Sequence, residues 1–268
     1  MNYFVHNLSP FAFQFSEGFG VRWYGLAYAM GLLWGWWVLI RLANLGKIEM
    51  DAKKRAEFIF ALLLGIIVGG RLGFMLLYDL GAFISNPFIF FEFQKGGMAS
   101  HGGFVGVAVA CFVFAKRNRA EFWKLTDLVC LMAPMGILLG RIANFINGEL
   151  WGKISQVPWA VIFPASAPVG TPLSLIAPRH PSQLYEATLE GLLLLIYTQL
   201  RYRQNPKAGL LTAEFLGLYG IVRIIGEIFR EPDADLILGL SRGSFYSLFA
   251  IALGIGLWIF FNKKTRKV

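Results

Sequence analysis

Residues 125–152 read LTDLVCLMAPMGILLGRIANFINGELWG, and this stretch decides the fold class. Up to Phe145 it is apolar for about the 20 residues that a membrane-spanning helix needs. Pro134 inside that run predicts a kink. From Gly140 to Gly152 it turns polar and glycine-punctuated, and Arg141, Asn144, Asn147 and Glu149 arrive together where hydrocarbon gives way to water. A plain membrane anchor has no use for such a group. The rest of the chain therefore reads as a scaffold that brings other polar groups to it.

Composition agrees. The chain has 268 residues, 56% hydrophobic and only 15% charged, with mean hydropathy +0.57. That is too apolar for an ordinary soluble domain, and it implies a polytopic membrane protein. The net charge of +9 would suit nucleic acid, but in a membrane protein basic loops set orientation, so no nucleic-acid partner is expected. Cys111 and Cys130 both lie in apolar runs and read as packing thiols, with no metal-ligand spacing. Residues 1–22 lack a signal-peptide pattern and are rich in aromatics, which predicts an arm along the membrane surface.

Seven spans are expected, at about 23–40, 57–78, 98–115, 125–145, 183–202, 209–229 and 244–261. The fold class is all-α. Residues 23–262 form the transmembrane domain, 146–182 a small Pro-rich head with one strand-like run at 159–163, and 263–268 a basic tail. The loops after spans one, three and five and the tail carry 16 Lys and Arg, against 5 in the loops on the other side. The richer side is cytoplasmic by the positive-inside rule, so the N-terminus and the head face outward.

This orientation puts Tyr24, Arg71, His101, Arg141, Asn144, Arg223, Glu227 and the 180–186 segment at one outer level. Ionisable groups at membrane depth are costly and normally face a partner or an aqueous cavity. Three arginines with few acids at their depth favour an anion, most simply a phospholipid headgroup phosphate. Gly102 and Gly103, at a helix start, let backbone N–H groups approach that anion. Each feature also has a plain reading. Arg223 and Glu227 are one turn apart and neutralise each other. Arg141 snorkels to the interface. Arg71 pairs helices in a face with Gly65, Gly69, Gly70 and Gly73. Tyr24 is an aromatic-belt residue, and Tyr185 and Glu186 hold the start of span five. A transporter of an anionic solute is the competing class, but it would carry polar groups through to the inner side and often repeat its halves. Here the inner halves read as apolar, and no repeat is evident.

Four motifs resemble those of the bacterial prolipoprotein diacylglyceryl transferase family: GRIANFINGELWG at 140–152, HGG at 101–103, HPSQLYE at 180–186 and RIIGEIFREPD at 223–233. The first is highly specific. The resemblance implies an enzyme of lipoprotein biosynthesis in the bacterial inner membrane, with its active site on the periplasmic side. It implies transfer of diacylglyceryl from phosphatidylglycerol to the lipobox cysteine of a prolipoprotein signal peptide, giving a thioether and glycerol 1-phosphate. Arg141 and Arg223 would hold the phosphate, and His101 would deprotonate the thiol or touch the headgroup. Asn144, Glu149 and Glu227 would bond glycerol hydroxyls or orient the arginines. Gly152 would permit the turn carrying Glu149. Tyr24 and Tyr219 would be further contacts or alternative proton acceptors. No metal or organic cofactor is implied.

Overall fold

A computed structural model describes residues 3–16, 18–92, 96–232 and 234–263. Glu17, Lys95, Asp233 and the basic residues Lys264, Arg266 and Lys267 lie outside them, as do the first two residues of the expected arm. The described fold is helical with four short strands. Its helices are α1 (Trp23–Asn44), α2 (Ala52–Tyr78), α3 (Leu80–Ser85), α4 (Ser100–Asn118), α5 (Phe122–Asn147), α6 (Ser182–Glu186), α7 (Leu194–Arg203), α8 (Leu210–Phe229) and α9 (Arg242–Lys263). A π-helical segment, Ala187–Leu193, joins α6 to α7. Among the described residues, α1, α2, α5 and α9 are long and apolar enough to cross a membrane. Helices also occupy the other three expected positions, but α8 carries Glu214, Arg223 and Glu227, and the 182–203 run is interrupted by the π segment.

The chain divides into two compact units, Gly35–Leu128 and Met1–Trp34 with Val129–Val268. In the first, α2 starts at Asp51, whose side chain accepts from the Lys54 N–H at 2.7 Å; a cap of this kind satisfies a helix-start donor that has no partner within the helix. Helices α2 and α4 pack backbone to backbone through Gly65, Gly69 and Gly73 against Gly102 and Gly106. A Cβ on Gly65 would lie 2.5 Å from the Gly106 carbonyl oxygen, and one on Gly73 would lie 2.5 Å from the Gly102 Cα. Only glycine allows this approach, the small-residue packing typical of helices in lipid. Gly106→Val should separate the pair and destabilise the fold by about 1–3 kcal/mol, read as a lower melting temperature of the detergent-solubilised protein. Unchanged melting would remove the seam from the stability account.

In the second unit the N-terminal segment is partly strand. β1 (Phe4–Val5) pairs in parallel with β4 (Val161–Ile162), which falls inside the strand-like run. β2 (Phe11–Ser16) and β3 (Phe19–Arg22) make an antiparallel hairpin. His6 fastens the segment to the end of α5, donating from Nε2 to the Phe145 carbonyl at 2.7 Å. Pro134 sits inside α5. Three residues before it, the Leu131 carbonyl accepts from Gln199 Nε2 at 3.0 Å, an outside donor for a turn that proline deprives of an N–H.

The expectation of apolar inner halves is corrected. At the end of α8 away from Arg223, Glu214 takes two bonds from Arg201, at 2.8 and 3.0 Å, and one from the Tyr197 hydroxyl at 3.0 Å. This closed group ties α7 to α8.

The head between α5 and α6 is built from crossing extended segments. The Gly152 N–H donates to the His180 carbonyl and the Lys153 N–H to the Phe229 carbonyl, both at 2.9 Å, while the His180 N–H returns to the Lys153 carbonyl at 3.0 Å. Residues 151–155 thus run between the entry to α6 and the exit of α8.

Candidate active site

Arg141 and Asn144 lie one turn apart near the end of α5. Glu186 closes α6, and Glu190 stands four residues on, within the π segment. Arg223 and Glu227 share a face of α8, with Arg230 just beyond its end. These helical spacings aim each set of side chains the same way, and the three sets meet. Glu186 pairs with Arg141 at 2.8 Å, with Arg223 at 2.6 Å and with Arg230 at 3.3 Å. Glu190 pairs with Arg141 and with Arg223, each at 2.9 Å. Glu227 pairs with Arg223 and stands 3.9 Å from Arg230. The side chains of Glu186 and Glu190 are 0% exposed.

This corrects the expectation of arginines with few acids around them. Among the described residues the network holds three guanidiniums and three carboxylates. A charge removed from water is tolerated only with a counter-charge and good hydrogen bonds, and the chain supplies both from two other helices. Arg71 is corrected in the same sense. In the Gly35–Leu128 unit its guanidinium donates to backbone carbonyls that follow α3, among them Phe90 at 3.0 Å, Glu92 at 3.1 Å and Gly97 at 3.1 Å. It holds these backbone groups on α2.

Glu149 belongs to a neighbouring group. Its carboxylate accepts from Asn144 Nδ2 at 2.7 Å and from Asn147 Nδ2 at 3.2 Å. Its carbonyl accepts from Gln183 Nε2 at 2.6 Å, and the Leu150 carbonyl accepts from Ser182 Oγ at 3.0 Å. The turn itself is made by Gly148 (φ 67°) and Leu150 (φ 57°), both left-handed. Gly152 serves another purpose: a Cβ there would lie 2.6 Å from the carbonyl oxygens of both His180 and Phe229.

The chain matches the family model described as prolipoprotein diacylglyceryl transferase over residues 10–260. The chain belongs to this family. It is 44% identical over 252 residues to the phosphatidylglycerol–prolipoprotein diacylglyceryl transferase of Allorhizobium ampelinum, covering 89% of this chain and 85% of the relative. Identity to the protein of the same name from Pseudomonas fluorescens is 44%, covering 91% and 90%. For that of Agrobacterium fabrum it is 38%, covering 94% and 91%. Family membership makes the chain a transferase.

Of the site residues expected from the sequence of this family member, the ion-pair network gathers Arg141, Arg223 and Glu227, and the second group gathers Asn144 and Glu149. Tyr219, one turn before Arg223 on α8, stacks on Phe215, with ring centroids 6.0 Å apart. Tyr24 packs on Tyr28, with centroids 5.2 Å apart. His101, Gly102 and Gly103 open α4 in the other unit. There Gly102 packs on Gly69 and Gly73, and the Gly103 N–H is committed to the Ala99 carbonyl at 3.1 Å. Of the two glycines, only Gly102 keeps its N–H in the open first turn.

Glu190 has no place among the residues expected from the sequence, and Arg230 and Gln183 fall in the quoted motifs without an assigned role. For Glu190 a signal existed: a lone carboxylate in an apolar run, one turn from Glu186. Beside the network, the Tyr185 hydroxyl accepts from Trp159 Nε1 at 2.6 Å and lies 3.1 Å from His180 Nδ1. Burial holds the His180 imidazole below the usual histidine range. Among the described residues no group of His, Cys, Asp and Glu is placed to hold a metal ion.

Proposed function

We propose that the chain transfers the diacylglyceryl group of phosphatidylglycerol to the lipobox cysteine thiol of a prolipoprotein, in the bacterial inner membrane and on its periplasmic side. The observation that carries this reading is the arginine pair. Arg141 and Arg223, from different helices, are held side by side by two carboxylates that both of them share. Two guanidiniums so fixed suit a phosphate, which they bind by charge-assisted bonds.

In the reaction, the cysteine thiol gives its proton to His101, with Tyr24 and Tyr219 as alternative acceptors. The sulfur forms a bond to the terminal methylene of the diacylglycerol. The bond from that carbon to the phosphate oxygen breaks, and its electron pair stays on the phosphate, which departs as glycerol 1-phosphate. The charge that develops is on the phosphate, so the arginines stabilise the transition state more than the ground state. Glu227 orients Arg223. Asn144 and Glu149, fixed by Gln183, bind the glycerol hydroxyls.

In this reading all seven helices at the expected positions span the bilayer, the N-terminus and the 146–182 head are periplasmic, and the C-terminus is cytoplasmic. Two of the three less apolar spans, the 182–203 run and α8, carry charges that the ion pairs neutralise, which supports counting them. The test is purified protein with phosphatidylglycerol and a lipobox peptide, followed by the mass of the cysteine. A diacylglyceryl adduct is expected, and its absence under all conditions sinks the reading. Single cysteines at Val169 and Gln204 should label from the periplasmic and cytoplasmic sides respectively.

A further inference from the structure

The transfer as written needs guanidiniums, yet the network carries as many buried acids as arginines. Glu190 has no part in that chemistry. Its two oxygens stand 2.9 Å from Arg223 and 2.9 Å from Arg141, and Glu186 repeats the arrangement at 2.6 and 2.8 Å. Four side chains thus close a ring in which each carboxylate lies between two guanidiniums. Glu190 is brought there by a tight contact. A Cβ on the next residue, Gly191, would lie 2.6 Å from the Cα of Leu138, one turn before Arg141 on α5. The π-helical segment that contains both residues is presented directly to the helix that carries Arg141.

We propose that Glu190 is a charge-setting residue that governs release of the phosphate product. This rests on the reading that Arg141 and Arg223 receive the phosphate. The arriving phosphodiester carries one negative charge, whereas the departing monoester carries roughly 1.5 to 2 at neutral pH. A bare arginine pair therefore holds product more tightly than substrate and is blocked by it. A fixed carboxylate repels each ligand in proportion to the ligand's charge, so Glu190 weighs most heavily on the product. The developing charge of the transition state feels part of the same repulsion. Glu190 thus trades some speed in the chemical step for a site that empties.

The test compares wild type, Glu190→Gln and Glu190→Asp, using phosphatidylglycerol, a lipobox peptide and added glycerol 1-phosphate. For Glu190→Gln, the inhibition constant of glycerol 1-phosphate should fall by about tenfold. Its steady-state rate should drop while its first turnover is as fast as in wild type or faster. Glu190→Asp keeps the charge and should keep wild-type inhibition. Glu214→Gln, on the Arg201 pair at the other end of α8, should leave inhibition unchanged. If Glu190→Gln does not fold, Glu186→Gln removes one charge from the same two arginines and should show the same tightening. A folded Gln variant with unchanged or weaker inhibition, or with first and later turnovers falling together, overturns the proposal. Wild type indifferent to glycerol 1-phosphate at any concentration overturns the arginine-phosphate reading itself.

Discussion

Arg223→Ala is expected to lower transfer by a factor of about a hundred to a thousand or more, the usual consequence of removing a group that meets developing charge. The loss has two sources. Arg223 contacts Glu186, Glu190 and Glu227, so its removal leaves three buried carboxylates to two guanidiniums. An uncompensated buried charge costs about 3–5 kcal/mol, and the melting temperature should fall with activity. Arg223→Lys separates the two sources. A lysine restores the charge and part of the stability, but one ammonium cannot reproduce the planar fork that spans three carboxylates. The lysine variant should therefore melt nearer to wild type than the alanine variant and still transfer poorly. Measurements are the mass of the lipobox peptide after reaction and the unfolding midpoint in detergent. Wild-type transfer by Arg223→Ala would remove Arg223 from the site.

Gly152→Ala is the second large effect. The added Cβ meets two carbonyl oxygens at 2.6 Å and the His180 Cβ at 2.7 Å. Two of these atoms are backbone and the third is fixed to it, so no flexible side chain can yield. The segments must part, which breaks the hydrogen bonds from Gly152 to His180 and from Lys153 to Phe229. Overpacking of this kind costs about 1–3 kcal/mol, occasionally more. Because Glu149 lies three residues upstream and is anchored through Gln183, the strain should reach the site and cut transfer at least about tenfold, in line with the effect of small misplacements on catalysis. Gly140→Ala is the matched control from the same motif, since a Cβ there meets nothing within 4 Å. It should melt like wild type. Equal stability of the two variants would show that the crossing segments are not rigid.

Much of the fold was legible in the sequence, because a bilayer imposes a simple rule. A segment apolar for about 20 residues satisfies its backbone internally as a helix, whatever its neighbours are. The helices fall where the apolar runs do, and even the lone strand-like run at 159–163 contains β4. Arg141, Arg223 and Glu227 were legible for a related reason: a charge placed at the end of an apolar run is too costly to be idle. Partners were harder. Arg71 and Arg141 look alike in sequence, yet one is held by loop carbonyls and the other by two carboxylates. Nothing local to either residue distinguishes them.

The sequence by itself determined the helices, the membrane class and the presence of charges that demand partners, because these follow from local hydrophobicity and from the cost of burying charge. Only the tertiary structure decided the pairing. Glu190 reaches Arg141 across 49 positions and Arg223 across 33, and Gly152 is squeezed by residues from two separate segments. Coulomb attraction and steric exclusion depend on distance in space, and that distance exists only once the helices have packed.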